Sequence, residues 1–315
     1  MRRIAIALGL VVLATSALAA PKAKRPAPPP AVQEPDVAYG AFQRGLYLTA
    51  FAEAKKRVEE KDDPKAMTLL GELFAEGLGV PRDDATAADW YKRAADRGDR
   101  EAMFALALFR MTGRGGPRNN DEGAKLFAAA ARLGHAQAAY SLGLLFIDGQ
   151  MFERDFTRAA ELFRQAANAG HPDAQYMLGA MYLDGRGVPK DVKEAARLFG
   201  AAALAQQPDA ELEYGIALFN GSGVPKNEAL AGTFLRRAAH SGNAPAQSRL
   251  ALMYATGRGL PADAVQAAKW HLIAKAGGAN DERLDEYVRK MKPADRTAAE
   301  EAAKPWIAAL RANRP

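Results

Sequence analysis

Histidine is the side chain best suited to proton transfer or metal binding near neutral pH. This chain of 315 residues has four, His135, His171, His240 and His271. None belongs to a His-Glu-x-x-His pair, so no helical face presents two imidazoles to a zinc ion. His135 and His171 follow glycines, and His240 lies near an equivalent position, which reads as turn or helix-cap placement. Cysteine is absent, which excludes a thiolate metal site, a cysteine nucleophile, a disulfide framework and a lipid anchor on cysteine. Gly113-Arg114-Gly115-Gly116 has the glycines of a phosphate loop. It would end a helix, however, whereas phosphate binding needs a loop that opens one. There is no nucleophile elbow. The sequence therefore suggests no catalytic residue, no metal and no cofactor.

Two polar columns remain, and both recur every 36 residues. Asp83, Asn119, Asp155, Asp191, Asn227 and Asp263 could suggest carboxylate catalysis or a cation site, but helix capping accounts for all six. Arg82, Arg118, Arg154, Lys190 and Lys226 each precede a capping residue, with Ala262 as the exception. Stacked units would line these bases along one edge. They form either a solvated rim paired with Asp83, Asp155 and Asp191, or an anion-attracting strip.

The elements that position these columns form a repeat. Shifted by 36 residues, the sequence aligns with itself without a gap from about Pro64 to Gly278. Ala66, Ala102, Ala138, Ala174, Ala210 and Ala246 form one column, and Gly77, Gly113, Gly149, Gly185, Gly221 and Gly257 another. Each unit reads as helix, turn, helix. Ala174, Leu178, Met181 and Tyr182 have helical spacing, Gly185 supplies a left-handed cap, and Pro189 stops continuation. Large apolar residues follow in the second helix at Trp90, Leu126, Leu162, Leu198, Phe234 and Trp270. One hairpin cannot bury its own apolar face, but stacked copies can.

The stretch from Ala174 to Gly179, continued by Gly185-Arg186-Gly187-Val188-Pro189-Lys190-Asp191, resembles the Sel-1-like repeat, a relative of the tetratricopeptide repeat. Six units share the pattern over about 215 residues. They depart from it at Arg110 and Leu218, at Gln206 in place of a closing glycine, and at Met151 and Glu153 in the third turn. The resemblance implies an all-α fold, a right-handed α/α superhelical solenoid. The organisation expected is a signal peptide over 1–19, a proline-rich linker over 20–35, and a capping helix pair over 36–63. Six repeats over 64–279 and closing helices over 280–315 complete it.

The first helices carry a second apolar face, because positions 3, 7 and 10 (the repeat alanine being 1) lie together on a helix. They hold Phe104, Leu108 and Met111; Tyr140, Leu144 and Ile147; Tyr176, Ala180 and Leu183; and Leu212, Ile216 and Phe219. In the related tetratricopeptide fold this face lines a peptide-binding groove; winding or the terminal helices could instead cover it. Met151 and Phe152 add a second apolar spot.

The formal net charge is +6. Arg2, Arg3, Lys22, Lys24 and Arg25, against Glu34, supply most of it, which argues against a nucleic-acid partner. Met1-Arg2-Arg3, the apolar run from Ile4 to Ser16 and Ala17-Leu18-Ala19 fit an export signal. No membrane span is expected after its cleavage. The expected function is an exported scaffold or adaptor that binds a protein or peptide through the groove. The resemblance places it in envelope assembly or signalling, periplasmic or alternatively secreted. Alternatives are an envelope protein binding acidic polysaccharide or cell wall through the basic rim, and an enzyme acting on cell-wall or β-lactam substrates. Missing cysteines separate the chain from relatives linked to that last chemistry.

Overall fold

A computed structural model describes residues 36–312. The expected signal peptide, the proline-rich segment and the last three residues of the closing cap lie outside the described residues. Within them the chain forms sixteen α-helices and no strand. Two helices open the array, α1 (Val37–Gln43) and α2 (Tyr47–Lys61). The first helices of the six units are α3 (Pro64–Glu76), α5 (Arg100–Thr112), α7 (Ala136–Asp148), α9 (Pro172–Asp184), α11 (Pro208–Asn220) and α13 (Ala244–Thr256). Their second helices are α4 (Asp84–Ala95), α6 (Asn120–Arg132), α8 (Phe156–Asn168), α10 (Val192–Leu204), α12 (Glu228–His240) and α14 (Ala264–Ala276). α15 (Glu282–Arg289) and α16 (Pro293–Ala312) follow. Each first helix packs on its own second helix, and each second helix on the next first helix. The result is an all-helical solenoid of helix pairs.

The Asx column does what capping requires. Asp83, Asn119, Asp155, Asp191, Asn227 and Asp263 each accept a hydrogen bond from a backbone N–H in the first turn of the second helix. A second capping column opens the first helices, at Asp63, Asp99, His135, His171, Gln207 and Asn243. Most of these side chains also reach back to the previous first helix. Thr68 donates to Asp99 at 3.0 Å, and Asn243 donates to Asp209 at 2.9 Å. His135 Nε2 lies 2.9 Å from Glu101, and His171 Nε2 contacts Gln137. Capping and inter-repeat bonding are thus done by one side chain. Gln206, at the missing closing glycine, adopts φ +64°, so the left-handed turn survives the substitution.

The column of large apolar residues in the second helices is buried only in part. Leu198, Phe234 and Trp270 are buried, but Trp90, Leu126 and Leu162 are only half-buried. The next residue in each second helix goes deeper: Tyr91, Phe127, Phe163, Phe199, Leu235 and His271 are all buried. Glycines of the first helices make room for these side chains. A Cβ at Gly71, Gly143, Gly179 or Gly215 would lie 2.6–2.8 Å from Tyr91, Phe163, Phe199 or Leu235 respectively. The second glycine of the turn serves the joint between units. A Cβ at Gly115, Gly187, Gly223 or Gly259 would lie 2.2–2.3 Å from a backbone carbonyl opening the preceding second helix. Met151 occupies this place in the third turn, and its φ is not positive, so that turn takes a different backbone path. At the far end Trp306 of α16 packs edge-on against Trp270, with centroids 5.3 Å apart.

Candidate functional site: the open wall of the first helices

First helices of successive units lie side by side, tied by the capping side chains just described. Leu108 and Leu144 project from this wall at 42% and 36% exposure. Phe104, Met111, Tyr140, Ile147, Tyr176, Leu183, Ile216 and Phe219 are half-buried. None of the ten expected contact residues is sealed from solvent. Leu212, which shares their column, is buried at 8% exposure and belongs to the core.

Several of these side chains also hold the array together. Phe104 stacks on His135 at 4.5 Å and Tyr140 on His171 at 4.8 Å. In each pair the imidazole Nδ1 accepts from a backbone N–H, that of Ala138 at 3.1 Å and that of Ala174 at 3.2 Å. Burial lowers the His171 pKa, which favours the neutral ring that can accept this bond. The histidines are thus cap residues, and the rings beside them are only partly free for a partner. Met111 packs closely on Gly123. Leu108, Leu144, Leu183 and Ile216 have the fewest such duties.

Two small cavities open along the wall. One, of about 130 Å³, is lined by Leu183, Phe199, Glu213 and Ile216; the other, of about 80 Å³, by Ile216, Phe219, Arg249 and Leu252. Burial raises the Glu213 pKa; Arg249 opposes the shift, while Asp209 and Asp184 add to it. Tyr176 is raised mainly by burial and further by Asp209 and Glu213. These carboxylates therefore crowd the same stretch of wall. Elsewhere, a cavity of about 430 Å³ lies between α6 and α8, where Phe152 stacks on Phe146 at 5.0 Å and Arg132 and Arg158 line the opening. Here Phe152 of the atypical third turn is local packing.

The basic column runs along the edge where the first helices end. A Cβ on each capping glycine would meet the side chain of Arg82, Arg118, Arg154, Lys190 or Lys226. All five are exposed. They do not pair with the capping acids, as the solvated-rim reading expected. Arg82 pairs with Asp84 at 3.3 Å, Lys226 with Glu228 at 3.0 Å, Arg118 donates to Asn120 at 2.9 Å, and Arg154 donates to the Asp148 carbonyl at 3.3 Å. For Arg82, Arg118 and Lys226 the partner stands two residues on, and the cap side chain is committed to the helix N–H groups. The joints between units are braced by Arg114 on Asp84 and Arg258 on Glu228.

Buried polar groups outside the wall are structural. Glu211 is buried beside Arg237, and burial raises its pKa against the pull of that guanidinium. His271 is buried with Nε2 2.8 Å from Asp285. Among the described residues no group of three or more His, Asp or Glu could hold a metal ion. No described helix is long and apolar enough to cross a membrane.

Stacked helix pairs of one repeating pattern define a helical-repeat solenoid protein. The Sel1 repeat model matches residues 64–99, 100–135, 136–171, 172–206, 208–243 and 244–278. The chain belongs to the Sel1-repeat family, whose members are generally protein-interaction scaffolds and typically non-catalytic. Among solved structures it is similar to a Sel1 repeat protein from Oxalobacter formigenes, at 27% identity and a TM-score of 0.62, covering 78% of this chain and 97% of that one. It is also similar to a protective antigen of uropathogenic Escherichia coli with an SLR fold, at 26% identity and a TM-score of 0.58, covering 85% and 68%. No match is found among curated proteins.

Proposed function

We propose that this protein is an exported scaffold that captures a protein or peptide partner on the open wall of its first helices, in envelope assembly or signalling. The observation that supports this is the exposure of Leu108 and Leu144 at equivalent places in neighbouring units, with half-buried apolar side chains beside them. Large aliphatic groups left partly in water at matched positions supply anchors for a partner. Family membership supports binding without chemistry, and the N-terminal pattern of charge, apolar run and small residues supports export to the periplasm.

The test is a crosslinking pull-down from envelope fractions, comparing the native chain with Leu108→Asp/Leu144→Asp. These two positions are better probes than Tyr140 or Tyr176, because Tyr140 also positions a capping histidine and Tyr176 packs on Phe199. The double variant should keep native helicity and melting and lose the specific crosslinked partner. Undiminished capture rejects the wall as the binding surface.

A further inference from the structure

Two exposed columns of the first helices and two largely half-buried ones between them are charged in one sense. Positions 0, 4, 7 and 11 of the six units hold eight acids against two bases, Lys65 and Arg249. Yet the chain as a whole has more bases than acids. Acids opening the first helices, such as Asp209, are explained by the positive end of the helix dipole. That argument fails for Asp148 and Asp184, which lie in the last turn of α7 and α9, where the dipole opposes negative charge. It fails also for Glu213, half-buried in mid-helix against the cavity with Leu183 and Ile216. Arg186 pairs with Asp184 at 2.6 Å from an exposed position, and Arg249 faces Glu213. These two bases leave the surplus of acid on the wall in place.

Resting on the wall as the binding surface, we propose that its occupant is a cationic amphipathic polypeptide segment, with aliphatic side chains on Leu144, Leu183 and Ile216 and lysine or arginine on Asp184, Asp209 and Glu213. An acidic segment would add like charge to a face where acids outnumber bases even after Arg186 and Arg249 are counted against Asp184 and Glu213. A basic one turns the same groups into partners. Of the basic rim along the edge, Arg82 and Lys226 already have acids in contact.

The probes are two synthetic peptides with identical leucines, one carrying lysine and the other glutamate at every polar position, followed by fluorescence anisotropy against the full chain. The lysine peptide should bind saturably, weaken as salt rises, and bind at least about tenfold more tightly than the glutamate peptide. Asp184→Asn/Glu213→Gln should weaken it about five- to tenfold, since each screened pair is worth up to about 1 kcal/mol. Arg118→Gln/Arg154→Gln should leave it unchanged. Equal or tighter binding of the glutamate peptide, or no effect of the Asp184/Glu213 variant, overturns the charge assignment. If Leu108→Asp/Leu144→Asp still abolishes binding in that case, the wall survives as the site. Lysine-peptide binding that is unaffected by the leucine variant overturns the wall and the charge assignment together.

Discussion

Phe163 is fully buried and faces a first helix that has no side chain where the ring arrives: a Cβ on Gly143 would lie 2.7 Å from its Cε1. Phe163→Ala therefore opens a void with bare helix backbone as one wall. Removal of a buried phenylalanine costs about 3–5 kcal/mol, because the lost transfer energy is joined by the cavity. Gly143→Leu alone forces a branched chain into the ring and should cost about 1–3 kcal/mol or more. Together the two changes should not add. Leucine grown from α7 enters the space vacated on α8, so the double variant should be more stable than the sum of the singles by at least ~1 kcal/mol. Urea denaturation followed by circular dichroism measures all three, provided the transitions remain cooperative. Strict additivity would mean that Gly143 is there for another reason and that the glycine–aromatic contact does not set the spacing of the helix pair.

Other expectations follow from single contacts. Gly187→Ala combines a left-handed backbone with a methyl 2.2 Å from the Phe156 carbonyl, whereas Gly98→Ala meets only the backbone cost because nothing lies within 4 Å. Thermal melting should show a clearly larger loss for Gly187→Ala, about 2 kcal/mol or more against about 1. Trp306→Ala should expose Trp270, red-shift the tryptophan emission and destabilise the array by roughly 2 kcal/mol, less than a fully buried ring costs because Trp306 is half-buried. Asp84 is held at about 2, first by the hydrogen bond from Arg114 and then by that from Arg82. A folded pKa below the unfolded one gives stability that is present above about pH 4 and lost as pH falls toward 2. Melting temperature should therefore drop across that window, and Asp84→Asn should flatten the drop. Glu211 works in the opposite sense. Its raised pKa favours the folded state at low pH, and Glu211→Gln should reduce the loss of stability as pH rises through the folded value.

The period, the helix-turn-helix unit and the six Asx caps were legible because each repeats in register and each has one dominant physical cause. The first-helix caps were harder to read. Asp, His, Gln and Asn share that column, and only the imidazole Nδ1 or amide oxygen that accepts the backbone N–H makes them equivalent. The column of heavy apolar residues did not show depth: Trp90, Leu126 and Leu162 are half-buried, and the residue after each is buried. A heavy side chain marks an apolar face but does not say which neighbour meets a glycine. The glycines at 71, 143, 179 and 215 carried that information, since they sit mid-helix, where glycine is costly unless something passes close by. The acid surplus of the wall was visible only after the face of the first helices was known, because it vanishes in the charge of the whole chain.

The third turn has a mechanical consequence. At Gly115, Gly187, Gly223 and Gly259 neighbouring units meet through backbone pressed on backbone, a stiff joint with no side chain to yield. Where Met151 stands no glycine makes this contact, and the stacked rings of Phe146 and Phe152 border a cavity of about 430 Å³ between α6 and α8. A rod of otherwise matching seams concentrates its bending at the softest one, between the second and third units. That seam divides Leu108 from Leu144, so flexure there would alter the spacing of the two most exposed anchors and tune their grip on whatever they hold.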